Sequence, residues 1–106
     1  MGFFDFFRKS DINQAVKDFQ NTDGAVLLDV RTTEEYSKGH IPESKNIPLH
    51  IISTVEFEVE NKDTPLFLYC RSGGRSGQAA SQLKGMGYTN VKNIGGIMSY
   101  SGEVER

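Results

Sequence analysis

The sequence predicts an α/β fold in which a central parallel β-sheet is flanked by helices. Two short, strongly apolar segments, AVLLDV at 25–30 and PLFLYC at 65–70, are typical of strands buried on both faces. Segments with apolar residues at helical spacing lie between and after them, an alternation that is typical of a parallel sheet. With the weaker segments included, we expect about five short strands in one sheet.

The first elements follow from apolar spacing and capping residues. Ile12, Ala15, Val16 and Phe19 recur at helical spacing, so residues 11–20 predict an amphipathic helix, which either Ser10 or Asp11 is placed to cap. The turn NTDG leads into the first strand, which we expect to end near Asp29. Thr32 stands three residues before Glu35, as in a capping box, and predicts a brief helix that ends at Gly39.

The middle of the chain gives weaker signals. Pro42 favours an extended connection, and NIPL at 46–49 is a candidate short strand. The segment VEFEV at 55–59 fits a helical stretch that begins near Ile51, but its alternation also fits a strand. A helix is expected from Ser76 to Gly85, and TNVKNI at 89–94 is expected to be the last strand, broken by Gly95 and Gly96.

The whole chain has the size of one domain, with 106 residues and neither a repeat nor a linker. We divide it into an N-terminal aromatic extension, residues 1–9, and one domain, residues 10–106. The extension carries Phe3, Phe4, Phe6 and Phe7. These side chains either cover an apolar flank of the domain or contact a membrane or a partner, and we favour packing because no long amphipathic helix accompanies them.

Charge and cysteine content exclude several classes of protein. Twelve basic and fourteen acidic residues give a formal net charge of −2, which argues against binding to nucleic acid or to an anionic membrane. No segment is long and apolar enough to predict a membrane span, and the first residues do not resemble a signal peptide. The single cysteine cannot form an internal disulfide. We therefore expect a cytoplasmic protein.

That cysteine, Cys70, stands where the apolar strand PLFLYC gives way to RSGGRS. In a parallel α/β sheet, ligands bind beyond the carboxyl ends of the strands. Gly73 and Gly74 can adopt positive φ angles, which would turn backbone N–H groups toward the thiol. The following helix N-terminus, together with Arg71 and Arg75 if they point inward, would favour the thiolate. We expect a nucleophilic cysteine in preference to a buried, inert one.

Other uses of a glycine-rich loop fit less well. The chain has neither the P-loop pattern nor GxGxxG after a strand, and it has no second cysteine for a redox pair. We predict no metal and no cofactor.

Three motifs in this order, DVRTTEEYSKGHIPESKNIPL, YCRSGGRS and NVKNIGGI, resemble those of the single-domain rhodaneses, small sulfurtransferases of the rhodanese/Cdc25-like fold. The resemblance covers about residues 10–100. It implies that Cys70 takes a sulfane sulfur from thiosulfate or a persulfide, holds it as a persulfide, and passes it to a thiol or cyanide. It also implies that residues 70–75 hold the persulfide through backbone N–H groups, with the Arg75 guanidinium closing the loop.

Three supporting residues are expected near the loop: Asp29, Arg31 and Ser76. For Asp29 and Arg31 we favour a structural ion pair or network that includes Glu35 over direct substrate contact. In the family the GHIP motif is a structural signature, so His40 is not expected to act as a base.

Two alternative functions remain open. The protein could act as a sulfur carrier between partner proteins, such as members of a sulfur relay, with little turnover of small molecules. A phosphatase or arsenate reductase is disfavoured, because the resembling phosphatases place five residues between cysteine and arginine, whereas four separate Cys70 from Arg75.

Overall fold

Four parallel strands form the sheet in the computed structural model, which describes residues 11–106. The strands are β1 (Val26–Asp29), β2 (Ser44–Asn46), β3 (Leu66–Cys70) and β4 (Val91–Gly96), and their order across the sheet is β2-β1-β3-β4. The two central strands, β1 and β3, are parallel neighbours, so their carboxyl ends lie side by side in the middle of the same edge of the sheet. This confirms the predicted α/β class with a parallel sheet flanked by helices.

The helices lie between and after the strands. They are α1 (Ile12–Gln20), α2 (Thr33–Lys38), α3 (Val55–Glu58) and α4 (Gly74–Gly85), with 3-10 turns at Leu49–Thr54 and Ile97–Ser99. Both predicted caps are present: the Asp11 side chain accepts from the Asn13 N–H, and Thr32 with Glu35 forms a complete capping box. Within residues 11–106, no helix has the length and apolar content that crossing a membrane requires.

Side chains alternate across the strands and build two core clusters, one on each face of the sheet. One cluster contains Leu28, Leu68 and Cys70 and packs against α4, α3 and the first 3-10 turn. The other contains Leu27, Phe67 and Tyr69 and packs against α1. Because helices cover both faces, β3 is apolar along its whole length and β1 is apolar up to its last residue, Asp29.

The sheet differs from the prediction in the number and limits of its strands. VEFEV is helical, as α3, so the described residues contain four strands where about five were expected. The strand predicted at NIPL lies slightly earlier, at Ser44–Asn46. The last strand does not stop before Gly95 and Gly96, because both glycines belong to β4 and Gly96 pairs with Cys70 after a register shift.

The expected N-terminal aromatic extension lies outside the described residues. Its boundary at residues 9 and 10, and the packing expected for its phenylalanines, stay predictions.

Candidate functional site

Cys70 is the last residue of β3, and its side chain is only 1% exposed. All five residues of this strand are buried, and β1 and β4 pair with it on either side. The strand therefore fixes the thiol at the carboxyl edge of the sheet, where α4 begins four residues later.

The backbone after Cys70 turns back onto the sulfur. Gly73 has φ +108°, a left-handed conformation that favours glycine, and its N–H donates to Cys70 Sγ at 3.0 Å. Of the two glycines expected to take positive φ angles, only Gly73 does so, because Gly74 is already the first residue of α4. One glycine is therefore enough to aim the loop at the thiol.

The hydrogen bonds at Cys70 outweigh the effect of its burial. Burial by itself raises the pKa of the Cys70 thiol because it disfavours the charged form. The Ser76 hydroxyl, 3.4 Å from Sγ, and the backbone N–H groups of Ser76, Gly73 and Ser72 act in the opposite direction. The net result is a pKa of Cys70 below the ordinary value of a cysteine, which favours the nucleophilic thiolate.

The Arg75 guanidinium contacts a carboxylate and not the sulfur. Its two terminal nitrogens donate to the two carboxylate oxygens of Glu35 at 2.7 and 3.0 Å. This pairing lowers the pKa of Glu35 to about 2 and raises the pKa of Arg75. Glu35 reaches the loop because it is the third residue of α2, where the capping box holds its side chain toward Thr32.

Arg71 takes part in the loop through its backbone. Its side chain is exposed and forms no ion pair with any residue from 11 to 106, whereas its carbonyl accepts from the Met98 N–H at 3.2 Å. The two arginines, which would favour the thiolate if they pointed inward, therefore have different surroundings.

Asp29 and Arg31 form a buried ion pair at the end of β1. Arg31 Nη2 donates to Asp29 Oδ2 at 2.6 Å and to the Gly39 carbonyl at 2.7 Å, and Arg31 Nε contacts both carboxylate oxygens at 3.0 Å. The pair joins β1 to the end of α2, and none of its hydrogen bonds reaches Cys70. This geometry fits the structural interpretation of the pair, and Glu35 binds Arg75 instead of joining it.

The GHIP segment supports β3 from the side. The Ile41 N–H donates to the Tyr69 hydroxyl at 3.0 Å, and that hydroxyl lies 3.1 Å from Ser44 Oγ. His40 stacks on the Tyr36 ring with 3.7 Å between ring centroids and makes no hydrogen bond with Cys70. The segment therefore positions the residue before the thiol, and its imidazole lies against α2.

Two residues of β4 complete the loop, and neither was singled out from the sequence as part of the site. A Cβ on Gly96 would collide with the backbone of Arg71 and Ser72, so only glycine fits there. The Asn93 side chain contacts Ser76 and the Gly73 carbonyl. The sequence signal for Gly96 was the double glycine of NVKNIGG, which we interpreted as the end of a strand.

Two open cavities lie near these elements. One of about 300 Å³ is bordered by Val30, His50 and Arg75. Val30 is the residue after Asp29, and Asp29 pairs with Tyr69, the residue before Cys70, in the sheet. A larger one of about 520 Å³ lies between α1 and β4 and has none of residues 70–75 in its lining. We assign the candidate site from the hydrogen bonds at the thiol and not from cavity size. Of residues 70–75, Arg75 alone borders the smaller cavity.

Comparison with known proteins agrees with this fold. The family model of the rhodanese-like domain matches residues 13–103. A sulfurtransferase of Allochromatium vinosum is 39% identical over 82 residues, covering 76% of each chain. The thiosulfate sulfurtransferase PspE of Escherichia coli is 39% identical over 71 residues, covering 66% of this chain and 68% of that protein.

A solved structure described as a rhodanese with anions from E. coli superposes with a TM-score of 0.73 at 34% identity, covering 77% of this chain and 98% of that one. The fold of this chain thus has a counterpart in a solved rhodanese structure. The chain belongs to the rhodanese-like domain family.

Proposed function

We propose that this protein is a sulfurtransferase that moves a sulfane sulfur from thiosulfate or a persulfide donor to a thiol or cyanide through a persulfide on Cys70. The observation that carries the proposal is the set of donors around the sulfur: the Gly73 N–H at 3.0 Å and the Ser76 hydroxyl at 3.4 Å. A lone thiol with a lowered pKa, in a family whose relatives are named sulfurtransferases, fits this chemistry.

The reaction consists of two displacements at sulfur. The Cys70 thiolate attacks the sulfane sulfur of thiosulfate, a new S–S bond forms, and the old S–S bond breaks as sulfite leaves with its electron pair. The acceptor thiolate or cyanide then attacks the outer sulfur of the persulfide, and the Cys70 thiolate leaves. Atoms and charges balance in each step, and no oxidant is consumed.

In this proposal the loop residues Arg71, Ser72, Gly73, Gly74 and Arg75 enclose the persulfide. Backbone N–H groups fixed in the fold stabilise negative charge without reorganising during the reaction. Arg71 offers an exposed positive charge to an incoming anion, and Arg75 borders the cavity of about 300 Å³ beside the loop. We further propose a cytoplasmic location, because a single reactive thiol fits a reducing compartment.

Intact-mass measurement tests the proposal directly. After incubation with thiosulfate, the protein should gain the mass of one sulfur atom, and cyanide should remove that mass and yield thiocyanate. Cys70→Ser is the control and should gain nothing. If the wild-type protein acquires no sulfur from thiosulfate or from an organic persulfide, the proposal is wrong.

A sulfur carrier that works between proteins is the second candidate, and one observation favours it. Met98 is 63% exposed, and its backbone N–H binds the carbonyl of Arg71 in the loop. An exposed apolar residue that contacts the loop suits contact with a protein partner. Fast sulfur transfer from a cysteine desulfurase, combined with negligible thiocyanate formation from thiosulfate and cyanide, would favour the carrier. Efficient turnover with thiosulfate would favour the enzyme.

A further inference from the structure

The Ser76 hydroxyl has one proton and three acceptors within reach. Its oxygen lies 2.7 Å from Asn93 Oδ1, 3.2 Å from the Gly73 carbonyl and 3.4 Å from Cys70 Sγ. Ser76 is fully buried, so its proton must go to one of these groups. Which acceptor receives the proton decides whether the sulfur gains a hydrogen bond from the hydroxyl.

The orientation of the Asn93 amide follows from its other contacts. Asn93 Nδ2 donates to the Gly73 carbonyl at 3.1 Å, and Asn93 Oδ1 accepts from the Gly95 N–H at 3.1 Å. In a flipped amide, the oxygen would face the Gly73 carbonyl and the NH₂ group would face the Gly95 N–H. Two acceptors would then meet at the first contact and two donors at the second. The amide oxygen therefore faces Ser76.

Asn93 also occupies the Gly73 carbonyl, so that this carbonyl is not available to accept the Ser76 proton. That carbonyl already accepts from the Gly77 N–H at 3.0 Å and from Asn93 Nδ2, and a carbonyl oxygen has two lone pairs. The serine proton is left with two destinations, Asn93 Oδ1 and the sulfur. Asn93 Oδ1 is nearer to the hydroxyl than the sulfur is, so it receives the proton while the sulfur is neutral. An anionic sulfur is a stronger acceptor and attracts the proton to itself.

We propose that Asn93 is a positioning residue that makes the Ser76 hydroxyl a charge-responsive donor to Cys70. The hydroxyl bonds Asn93 Oδ1 while the sulfur is neutral and turns to the sulfur when the sulfur becomes an anion. The buried hydroxyl keeps a partner in both states, so the thiolate gains a donor and no polar group is left unsatisfied. The role in catalysis rests on the proposed function of Cys70, but the hydrogen-bond exchange itself does not.

The charged groups on the elements around the thiol are unchanged by mutation of Asn93 or Ser76. They are Arg71 and Arg75 after β3, the Asp29–Arg31 pair after β1, Glu35 of α2, and Lys92 of β4. Arg75 is neutralised by Glu35, and Lys92 lies over the Phe67 ring on the opposite face of the sheet. In the alanine variants, a change in the thiol titration can therefore be assigned to the hydrogen bonds, whereas Asn93→Asp also adds one negative charge.

The test is the pH titration of the Cys70 thiolate, followed by ultraviolet absorbance with Cys70→Ser as the blank. This readout needs no sulfur donor, so it is independent of whether the protein transfers sulfur. Ser76→Ala should raise the midpoint by roughly half to one pH unit, the difference expected between a hydrogen bond to an anion and the neutral hydrogen bond to Asn93 that it replaces.

Two Asn93 variants should shift the midpoint in opposite directions. Asn93→Asp holds the serine proton on a carboxylate and adds negative charge, so the midpoint should rise. Asn93→Ala removes the best acceptor for the neutral state and leaves only the Gly73 carbonyl at 3.2 Å, so the midpoint should fall. A residue that merely stiffens the loop would shift the midpoint in the same direction in both variants.

The Ser76→Ala background supplies the decisive comparison. In that background Asn93→Ala should no longer shift the midpoint. Asn93→Asp should shift it less, by the amount that comes from charge repulsion alone. Asn90→Asp, which adds the same charge just before β4, is the matched control and should not shift the midpoint. Equal Asn93 shifts with and without the Ser76 hydroxyl, or shifts in one direction for both Asn93 variants, would overturn the proposal. If Asn93→Asp does not fold, Asn93→Ala in the two backgrounds decides alone.

Discussion

Gly96 gives the sharpest prediction, because its backbone lies against the loop that holds the thiol. A Cβ added there would stand 2.5 Å from the carbonyl carbon of Arg71, and it would be closer still to the Arg71 oxygen and the Ser72 Cα. Ordinary contacts of a Cβ begin at 3.4 Å. The opposing atoms are backbone, so Gly96→Ala must displace the peptide between Arg71 and Ser72.

The displacement needed is roughly 1 Å, and its consequences follow from that size. Overpacking of this kind typically costs about 1–3 kcal/mol in the free energy of unfolding. The Gly73 N–H also lies only two residues further along the loop and donates to the sulfur at 3.0 Å. A shift of that peptide lengthens this bond, so the pKa of Cys70 should rise along with the loss of stability.

Urea denaturation and the thiolate titration measure the two effects on the same sample. Gly85→Ala is the matched control, since its Cβ would enter open space at the end of α4, and it should neither lower the stability nor shift the titration. A Gly96→Ala protein with wild-type stability and a wild-type titration would falsify the claim that β4 supports the loop.

Two further predictions concern stability. The pKa of Glu35 is lowered from 4.5 to about 2 chiefly by Arg75, so the unfolded chain binds the proton more readily, and stability present above pH 4.5 should be lost as the pH falls toward about 2. Because the pair is about one-third exposed, Glu35→Gln should remove only about 1 kcal/mol of this dependence in urea titrations across that range. Tyr69→Phe leaves the buried Ile41 N–H without its acceptor and should cost about 1–3 kcal/mol in urea denaturation, whereas the matched change Tyr100→Phe should cost less than about 0.5 kcal/mol. A Tyr69→Phe protein as stable as Tyr100→Phe, or a Glu35→Gln protein with the wild-type pH dependence, would contradict these expectations.

The elements that could be predicted from sequence are those fixed by local interactions. The Asp11 cap and the capping box of Thr32 involve residues two or three positions apart, so their chemistry is visible in a short window. VEFEV could not be decided in this way, because five residues fit both periods. Packing decides it: Val55 and Val59 are buried together while Phe57 is 86% exposed, which suits the helical spacing and would not suit a strand.

The candidate site likewise contains contacts between residues close in sequence, which could be predicted, and contacts between distant residues, which could not. The positions of Cys70, Gly73 and Ser76 follow from one strand end and one turn of backbone, so the sequence could place them together. Asn93 approaches Ser76 from 17 residues away, and Glu35 approaches Arg75 from 40 residues away. Such contacts depend on the strand order β2-β1-β3-β4 and on the exact end of α2, and no local pattern encodes either of them.

The Glu35–Arg75 contact also bears on which anion the loop suits. An arginine that holds a tetrahedral oxyanion presents its fork of N–H groups to two oxygens at once. Here that fork is already occupied, because both terminal nitrogens bind the Glu35 carboxylate at 2.7 and 3.0 Å. The donors that remain beside Cys70 are backbone N–H groups and one hydroxyl, which surround a single atom at the end of β3. The short spacing from Cys70 to Arg75 and the occupied guanidinium are independent observations, and both support our proposal that this loop holds a sulfur anion in preference to a phosphoryl group.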